Sequence, residues 1–401
     1  MSKESRTKAL YLIMAVIIIS STVIAAANLS FDQQPQPTQS GRPTDTPDPN
    51  APVSTATPFT FPTPQATPVL ISFGPRIHKT GMFFIANLEE WNDSENAESN
   101  RAMISYIDNA RFAVVHAFVD AGLQPLDLNY VKTYYDTATF DSAWNNYDSW
   151  NQVERGELEG DAIRDVFELA LGGMTYHAVQ YAFPYQNWLF TLRIVVPENN
   201  PALLQALEDK MYPSLRPNPD AVGLDFRWPA HAVKDQGYLF KYPESWRAAG
   251  MTASRLTDPN DHVLMTVDAE DFTRAKVTGD DVTAAIVERL PDAEIAEIEP
   301  VERAHAQGFR ADFAYRDPDG AERQGTLMML AGGGRRYIVD LRLSSATLDP
   351  LDAEAERAAA DAEEVLRSFS VLSPDIFESI PTGTPDTSEV TIEAPPPSPE
   401  D

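Results

Sequence analysis

Cysteine is absent from all 401 residues. That removes disulfides, thiolate zinc sites, cysteine nucleophiles and lipid attached to cysteine. An exported fold built this way has only its buried apolar area to hold it together. Basic residues are scarce: 31 Lys and Arg stand against 60 Asp and Glu, for a net charge of −29. A surface so acidic repels phosphate backbones, and no basic patch occurs beyond the N-terminus, so nucleic acid is not an expected partner. The charge favours solubility and attracts cations or basic partners. A P-loop, a dinucleotide glycine fingerprint, a Gly-x-Ser-x-Gly elbow and a His-Glu-x-x-His pair are also missing. The expectation is a chain that is not an enzyme and that holds no cofactor or metal.

What is present begins with a compartment signal. Residues 1–8 form a basic stub carrying Lys3, Arg6 and Lys8, followed by an uncharged apolar run over 9–27. A run of this length just spans the hydrocarbon layer as a helix, with its positive flank retained in the cytoplasm. Ala25, Ala26 and Ala27 also suit cleavage after Ala27. An uncleaved single-pass anchor is the favoured reading, and cleavage would give a secreted protein. In both cases the bulk of the chain is extracytoplasmic. Residues 28–68 contain ten prolines among Thr, Ser and Gln. Such a segment buries too little to offset its ordering entropy, so it reads as a disordered spacer. Residues 373–401, with Pro395-Pro396-Pro397 and no basic residue, read as a disordered acidic tail.

Between these ends one unit is written twice. Gly81-Met82-Phe83-Phe84-Ile85 leads to Trp91, and Gly237-Tyr238-Leu239-Phe240-Lys241-Tyr242 leads to Trp246. Each predicts a strand running into a turn closed by tryptophan. A second apolar strand follows, 112–118 in one copy and 263–267 in the other, with period-two alternation. A helix comes next. Thr278-Gly279-Asp280-Asp281 has capping-box character ahead of Val282, Ala285, Ile286 and Leu290, and Phe140, Ala143, Trp144 and Tyr147 form the matching stripe. Each copy then predicts a three-stranded meander: 163–171, 175–183 and 188–196, then 310–315, 324–330 and 336–343. Turn residues such as Gly172-Gly173 and Gly332-Gly333-Gly334 separate the strands. A last helix is entered at Asn200-Pro201 and Asp349-Pro350, as N-cap and first-turn proline, at the same distance beyond Leu192-Arg193 and Leu341-Arg342. The expected domains are 69–212 and 225–372, joined by the proline-bearing residues 212–224.

The stretch Gly237-Tyr238-Leu239-Phe240-Lys241-Tyr242-Pro243-Glu244-Ser245-Trp246 resembles the opening strand of PsbP-like domains, Gly-aromatic-x-aromatic-x-Tyr-Pro-x-x-Trp. The resemblance covers residues 225–372. The first copy departs from it, with Asn87-Leu88 at the Tyr-Pro step and one residue added. The resemblance implies an α/β/α sandwich with a central antiparallel sheet; with the repeat and the apolar run 9–27, the expected fold is α+β, two tandem α/β/α sandwiches with antiparallel sheets after the N-terminal transmembrane helix. It also implies a non-catalytic role, often at an exported surface and in assembling a larger complex. No binding residue of that family maps onto this sequence.

Candidate chemistry is sparse. The histidines at 78, 116, 177, 231, 262 and 305 are scattered. His116 and His177 fall on strands of one copy and are candidates for proximity, although a sheet histidine satisfied by hydrogen bonds is the simpler reading. Asp317, Asp319 and Gly320 have the look of a calcium loop, but the spacing is too short for an EF-hand and suits a hairpin turn. Asp258, Asp261, Asp268, Glu270 and Asp271 form an acidic stretch open to a weak divalent cation or to plain solvation. The first copy is rich in rings: Tyr130, Tyr134, Tyr135, Phe140, Trp144, Tyr147 and Trp150. Helical spacing assigns Phe140, Trp144 and Tyr147 to a core. Tyr134, Tyr135 and Trp150 are left as the place to seek a sugar or peptide site. The expected function is a membrane-tethered binding or scaffold protein for a protein partner at the cell envelope. The alternatives are a ligand-binding module for a glycan or divalent cation and, last, a hydrolase.

Overall fold

A computed structural model describes residues 71–249, 255–274, 276–318, 320–344, 347, 349, 351–374 and 376. The apolar run 9–27, the proline-rich segment 28–68, Asp319, Pro350 and the tail from 377 lie outside the described residues. Among the described residues no helix is long and apolar enough to cross a membrane.

A hairpin of β1 (Phe73–Ile77) and β2 (Phe83–Leu88) comes first, followed by β3 (Asn92–Ala97), β4 (Arg101–Asp108) and β5 (Ala113–Ala121). Two short helices follow, α1 (Leu128–Tyr134) and α2 (Thr137–Ala143). The strands β6 (Ser149–Leu158), β7 (Ala162–Leu171), β8 (Met174–Tyr185) and β9 (Trp188–Pro197) lead into α3 (Pro201–Ser214). Next are β10 (Arg216–Pro217), β11 (Ala230–Val233), β12 (Tyr238–Lys241), β13 (Arg247–Ala249), β14 (Arg255–Thr257), β15 (Val263–Asp271) and helix α4 (Gly279–Arg289). The chain closes with β16 (Glu294–Arg303), β17 (Ala306–Arg316), β18 (Glu322–Gly332), β19 (Arg335–Leu343), α5 (Ala353–Arg367) and β20 (Ser370–Val371).

Two compact units result. The first holds residues 92–96 and 100–212, and the second the described residues of 71–91, 97–99 and 213–376. Each contains a seven-stranded antiparallel sheet, and the two strand orders match step for step: β3-β4-β5-β9-β8-β7-β6 and β13-β14-β15-β19-β18-β17-β16. Each expected meander therefore has a fourth, outer strand, β6 or β16. These two edge strands are polar and largely exposed, so no apolar alternation marks them in the sequence. β4 and the short β13 and β14 were likewise not anticipated.

Helices cover both faces of each sheet. In the first unit Val131, Tyr135, Phe140 and Trp144 pack on Ile163, Phe167, Leu169 and Ala178. On the opposite face α3 brings Glu208 to the Tyr181 hydroxyl at 2.6 Å and stacks Tyr212 on the Tyr181 ring at 4.1 Å. In the second unit α4 packs Val282, Ala285 and Ile286 on Ala311, Phe313 and Met329. There α5 sets Ala358, Ala362, Val365 and Leu366 against Met328, Leu330, Val339 and Leu341. With both faces covered, the central strands β9 and β19 bury side chains on both sides.

The structure moves several expected boundaries. The opening strand of the first copy does not stay with residues 100–212. Phe84 and Ile77 pack with Leu239, Leu372 and Ala232, and Asn218 Nδ2 donates to the Gly81 carbonyl at 2.8 Å, so the β1–β2 hairpin belongs to the second unit. Gly81, at φ +67, lets the backbone turn within 2.8 Å of where its Cβ would meet Ala230. The tail expected to begin at 373 remains packed as far as Ile376, which joins that same apolar cluster. Thr278 forms the expected capping box with Asp281. The cap of α5 is Asp352, whose carboxylate accepts from the Glu354 and Ala355 amides, while Asp349 accepts from the Leu351 amide in the preceding turn. In the first copy the helix α2 ends at Ala143 with Trp144 as its cap, and Tyr147 lies beyond it.

A Cβ on Gly308 would lie 1.9 Å from the Met329 carbonyl oxygen, a backbone atom locked in the β17–β18 ladder. Gly308→Ala is expected to lower stability by roughly 3 kcal/mol. Gly320→Ala, at φ +83 with open space around it, is expected to cost only about 1–2 kcal/mol. Thermal denaturation of the two variants side by side checks the ranking.

Candidate functional site

Backbone register decides which of the expected residues meet. His116 lies opposite Arg193, and Arg193 opposite Gln180. His177 lies opposite Val196, one residue out of phase, so it points from the other face of the sheet. The two histidines are therefore separated by the sheet and form no pair. His78 bonds to Thr80 Oγ1 at 2.8 Å and stacks on Phe83, His231 packs on Phe240, and His262 lies 3.5 Å from Asp258.

The acidic stretch is also dispersed. Asp258 accepts from the Val263 amide at 2.7 Å, Asp268 lies 3.5 Å from Arg289, and Glu270 pairs with Arg336. Asp317 pairs with Arg323 and takes part in the hairpin turn, where the Gly320 amide donates to its carbonyl at 2.8 Å. Among the described residues no group of three or more His, Asp or Glu is arranged to hold a metal ion. Trp150 donates to Asp141 at 3.0 Å and lies edge-on to Phe140 and Phe167, at the rim of the core.

What the first unit does assemble is a polar row running straight across six strands. Ser105 on β4, His116 on β5, Arg193 on β9, Gln180 on β8, Asp165 on β7 and Arg155 on β6 are consecutive cross-strand partners on one face. His116 Nδ1 lies 2.8 Å from Ser105 Oγ, Arg193 Nε donates to Gln180 Oε1 at 2.7 Å, and Arg155 Nε lies 3.0 Å from Asp165. This is the face covered by α1 and α2. One step along, Arg101 pairs bidentately with Asp120 at 2.5 and 2.8 Å. Thr191 bonds to the Tyr135 hydroxyl at 2.5 Å.

Arg193 is the centre of this row. Its guanidinium lies 5.2 Å from the Phe118 ring centroid and 5.3 Å from that of Trp144, so both rings attract it by cation–π interaction. It is half-buried, and among the described residues no carboxylate forms an ion pair with it. Two neighbouring donors are also unspent: Gln180 Nε2 and Trp144 Nε1 are buried without an acceptor. Burial, assisted by the Arg193 charge, pulls the His116 ring down to about 4, so it is neutral near pH 7. Burial pushes Asp165 up to about 6 against the pull of Arg155, and lifts Tyr135 to about 12. The rim carries half-buried Tyr134 and Tyr147, whose hydroxyls burial also pushes upward. The site thus offers a cation, ring faces and spare N–H donors. Its one serine–histidine contact, Ser105 with His116 at 2.8 Å, has the Ser105 side chain buried at 1% exposure.

Tyr134, Tyr135, Trp144 and His116 were legible in the sequence. Arg193, Gln180, Asp165 and the Arg101–Asp120 pair were not. The available signal was a charge inside an apolar strand, Trp188-Leu189-Phe190-Thr191-Leu192-Arg193-Ile194-Val195-Val196, where arginine is rarely buried without purpose.

No family model matches the chain, and no curated protein matches it. Solved structures are similar at low scores. The solution structure of cyanobacterial PsbP from Synechocystis sp. PCC 6803 aligns at 17% identity over 37% of this chain and 95% of its own, with a TM-score of 0.28. The apo structure of the type VI secretion immunity protein TplEi from Pseudomonas aeruginosa aligns at 9% identity over 75% of this chain and 98% of its own, with a TM-score of 0.24. The Tle4–Tli4 complex aligns at 8% identity over 75% of this chain and 99% of its own, with a TM-score of 0.22.

The second unit buries one charge of its own. Lys241 on β12 is 0% exposed, and its Nζ has no hydrogen-bond partner among the described residues. Burial pulls it down to about 7, with Asp225 opposing. The unfolded chain therefore holds this proton up to the ordinary lysine range while the folded chain releases it near 7, and stability rises with pH between those limits. Lys241→Met is expected to raise Tm at pH 7 and to flatten the rise between pH 7 and 10, as measured by denaturation across that range.

Proposed function

We propose that this chain is a non-catalytic, extracytoplasmic binding protein, tethered to the membrane by residues 9–27 and held clear of it by residues 28–68. Its first unit meets a protein partner at the cell envelope. The support for the tether is the basic stub, the uncharged apolar run and the proline-rich spacer. The observation that carries the binding role is the rim of the Arg193 site. There Tyr130 and Tyr134 are stacked at 5.8 Å and half-buried on α1, beside a cation that no carboxylate neutralises. Tyr, Trp and Arg are the residue types that dominate protein interfaces, since each offers a large contact area together with a polar end. The PsbP-like pattern at 237–246 agrees with a role in assembly at an exported surface. The same reading gives the chain no reaction of its own.

Full-length chain captured from detergent-solubilised envelope tests this. A specific partner is expected, and the double substitution Tyr130→Ala and Tyr134→Ala is expected to reduce its recovery at least ten-fold while the melting curve stays cooperative. Recovery that is indifferent to both tyrosines, or no specific partner at all, overturns the reading.

A further inference from the structure

The two units have the same strand order, so each strand of the first seven-stranded sheet has a counterpart in the second. Arg193 of β9 corresponds to Arg342 of β19, the other member of the repeated Leu-Arg pair. Across the second sheet the row reads Thr257, Leu264, Arg342, Gly325, Phe313 and Ile295. The arginine is kept and the rest is largely apolar. Phe313 fills the space over Gly325, where a Cβ would meet its ring at 2.5 Å. Arg342 itself is neutralised: Asp340, two residues before it on the same face, accepts from Nε at 3.1 Å and from Nη2 at 2.8 Å. The residue two before Arg193 is Thr191, whose hydroxyl bonds to Tyr135. In the first unit the internal carboxylate is thus replaced by a hydroxyl, and the filling phenylalanine and glycine by Asp165 and Gln180.

Even a half-buried arginine without a counter-charge is costly, and here the second unit shows that this fold has a ready way to supply one. Phe118 and Trp144 give the guanidinium cation–π contacts and Gln180 Oε1 accepts from Nε, while the Nη edge has no hydrogen-bond acceptor among the described residues. Gln180 is 0% and Trp144 3% exposed, and their unspent donors belong to the two side chains that touch the guanidinium. Of the nearby carboxylates Asp120 is engaged with Arg101, and Asp165 holds Arg155 and Gln152 through Oδ1 while its Oδ2 is buried without a hydrogen-bond partner. Around Arg193 the charge of the cluster is therefore net positive, in a chain of net charge −29.

We infer that Arg193 is the receptor for an external carboxylate carried on an aromatic or apolar body. The carboxylate takes the place that Asp340 fills in the second unit. The planar guanidinium fork suits a carboxylate bidentately, Gln180 Nε2 and Trp144 Nε1 supply further donors, and the Tyr134 and Tyr147 rings flank the body of the ligand. This deepens the binding-protein reading and rests on it: the carboxylate is a feature by which the partner or ligand is recognised.

Isothermal titration of the full-length chain with benzoate, acetate and inorganic phosphate tests the inference. Saturable binding of benzoate, tighter than acetate and much tighter than phosphate, is expected. Thr191→Asp supplies the missing carboxylate internally and can still accept from the Tyr135 hydroxyl, so it is expected to weaken benzoate at least ten-fold with Tm unchanged or raised. Arg193→Met should do the same, and Asp340→Thr should leave the benzoate affinity of the first unit unaltered. No saturable benzoate binding, or binding indifferent to Thr191→Asp, overturns the carboxylate site. If partner capture still depends on Tyr130 and Tyr134 in that event, only this inference fails and the binding-protein reading stands.

Discussion

Covering both faces of a sheet with helices leaves its central strands no solvent face, and the rest of this structure follows from that constraint. Most side chains of β9 and β19 are buried and have to be satisfied inside the protein. Apolar residues meet the condition simply by packing. A charge placed on such a strand must have a counter-charge, an aromatic cage or a ligand. The protein uses an internal counter-charge at Arg342 and Asp340, and an aromatic cage at Arg193.

The two units share a strand order, yet one sheet face is filled with apolar side chains and the other carries a polar row. The second sheet is filled by Phe313, Leu327, Met329 and Ile338 against α4, and its arginine is closed off. The first sheet gives the equivalent space to a polar row and two short helices, α1 and α2. Their side chains cover β7 and β8 more fully than β5, where His116 is half-buried. The same topology therefore carries an apolar filling in one unit and a polar row in the other. The β1–β2 hairpin, written in the sequence at the head of the first copy, packs with the second unit through Phe84, Leu239 and Leu372.

Much of the architecture was legible. The apolar alternation of 163–171, 175–183 and 188–196, and of their second-copy counterparts, marks strands that the structure contains as β7, β8, β9, β17, β18 and β19. Thr278 and Asp281 announce the start of α4, and Trp91 and Trp246 each close a turn by donating a backbone N–H three residues back, at 3.1 and 2.9 Å. The edge strands β6 and β16 escaped, because a strand that faces water on most of its surface carries no hydrophobic period. The α5 cap was misplaced by three residues because Asp349 and Asp352 are both competent caps and only the packing of Ala355 and Ala358 selects the second.

Sequence by itself determined the alternation, the turns, the doubling of the unit and the lack of cysteine chemistry, since each of these depends on residues close together in the chain. Tertiary structure decided which residues share a face and which are alone. His116 and His177 looked like neighbours and are divided by the sheet, while Ser105, His116, Arg193, Gln180, Asp165 and Arg155, spread over ninety residues, form one line. The physical reason is register: a shift of one residue sends a side chain to the opposite face, and only the paired strands fix that phase.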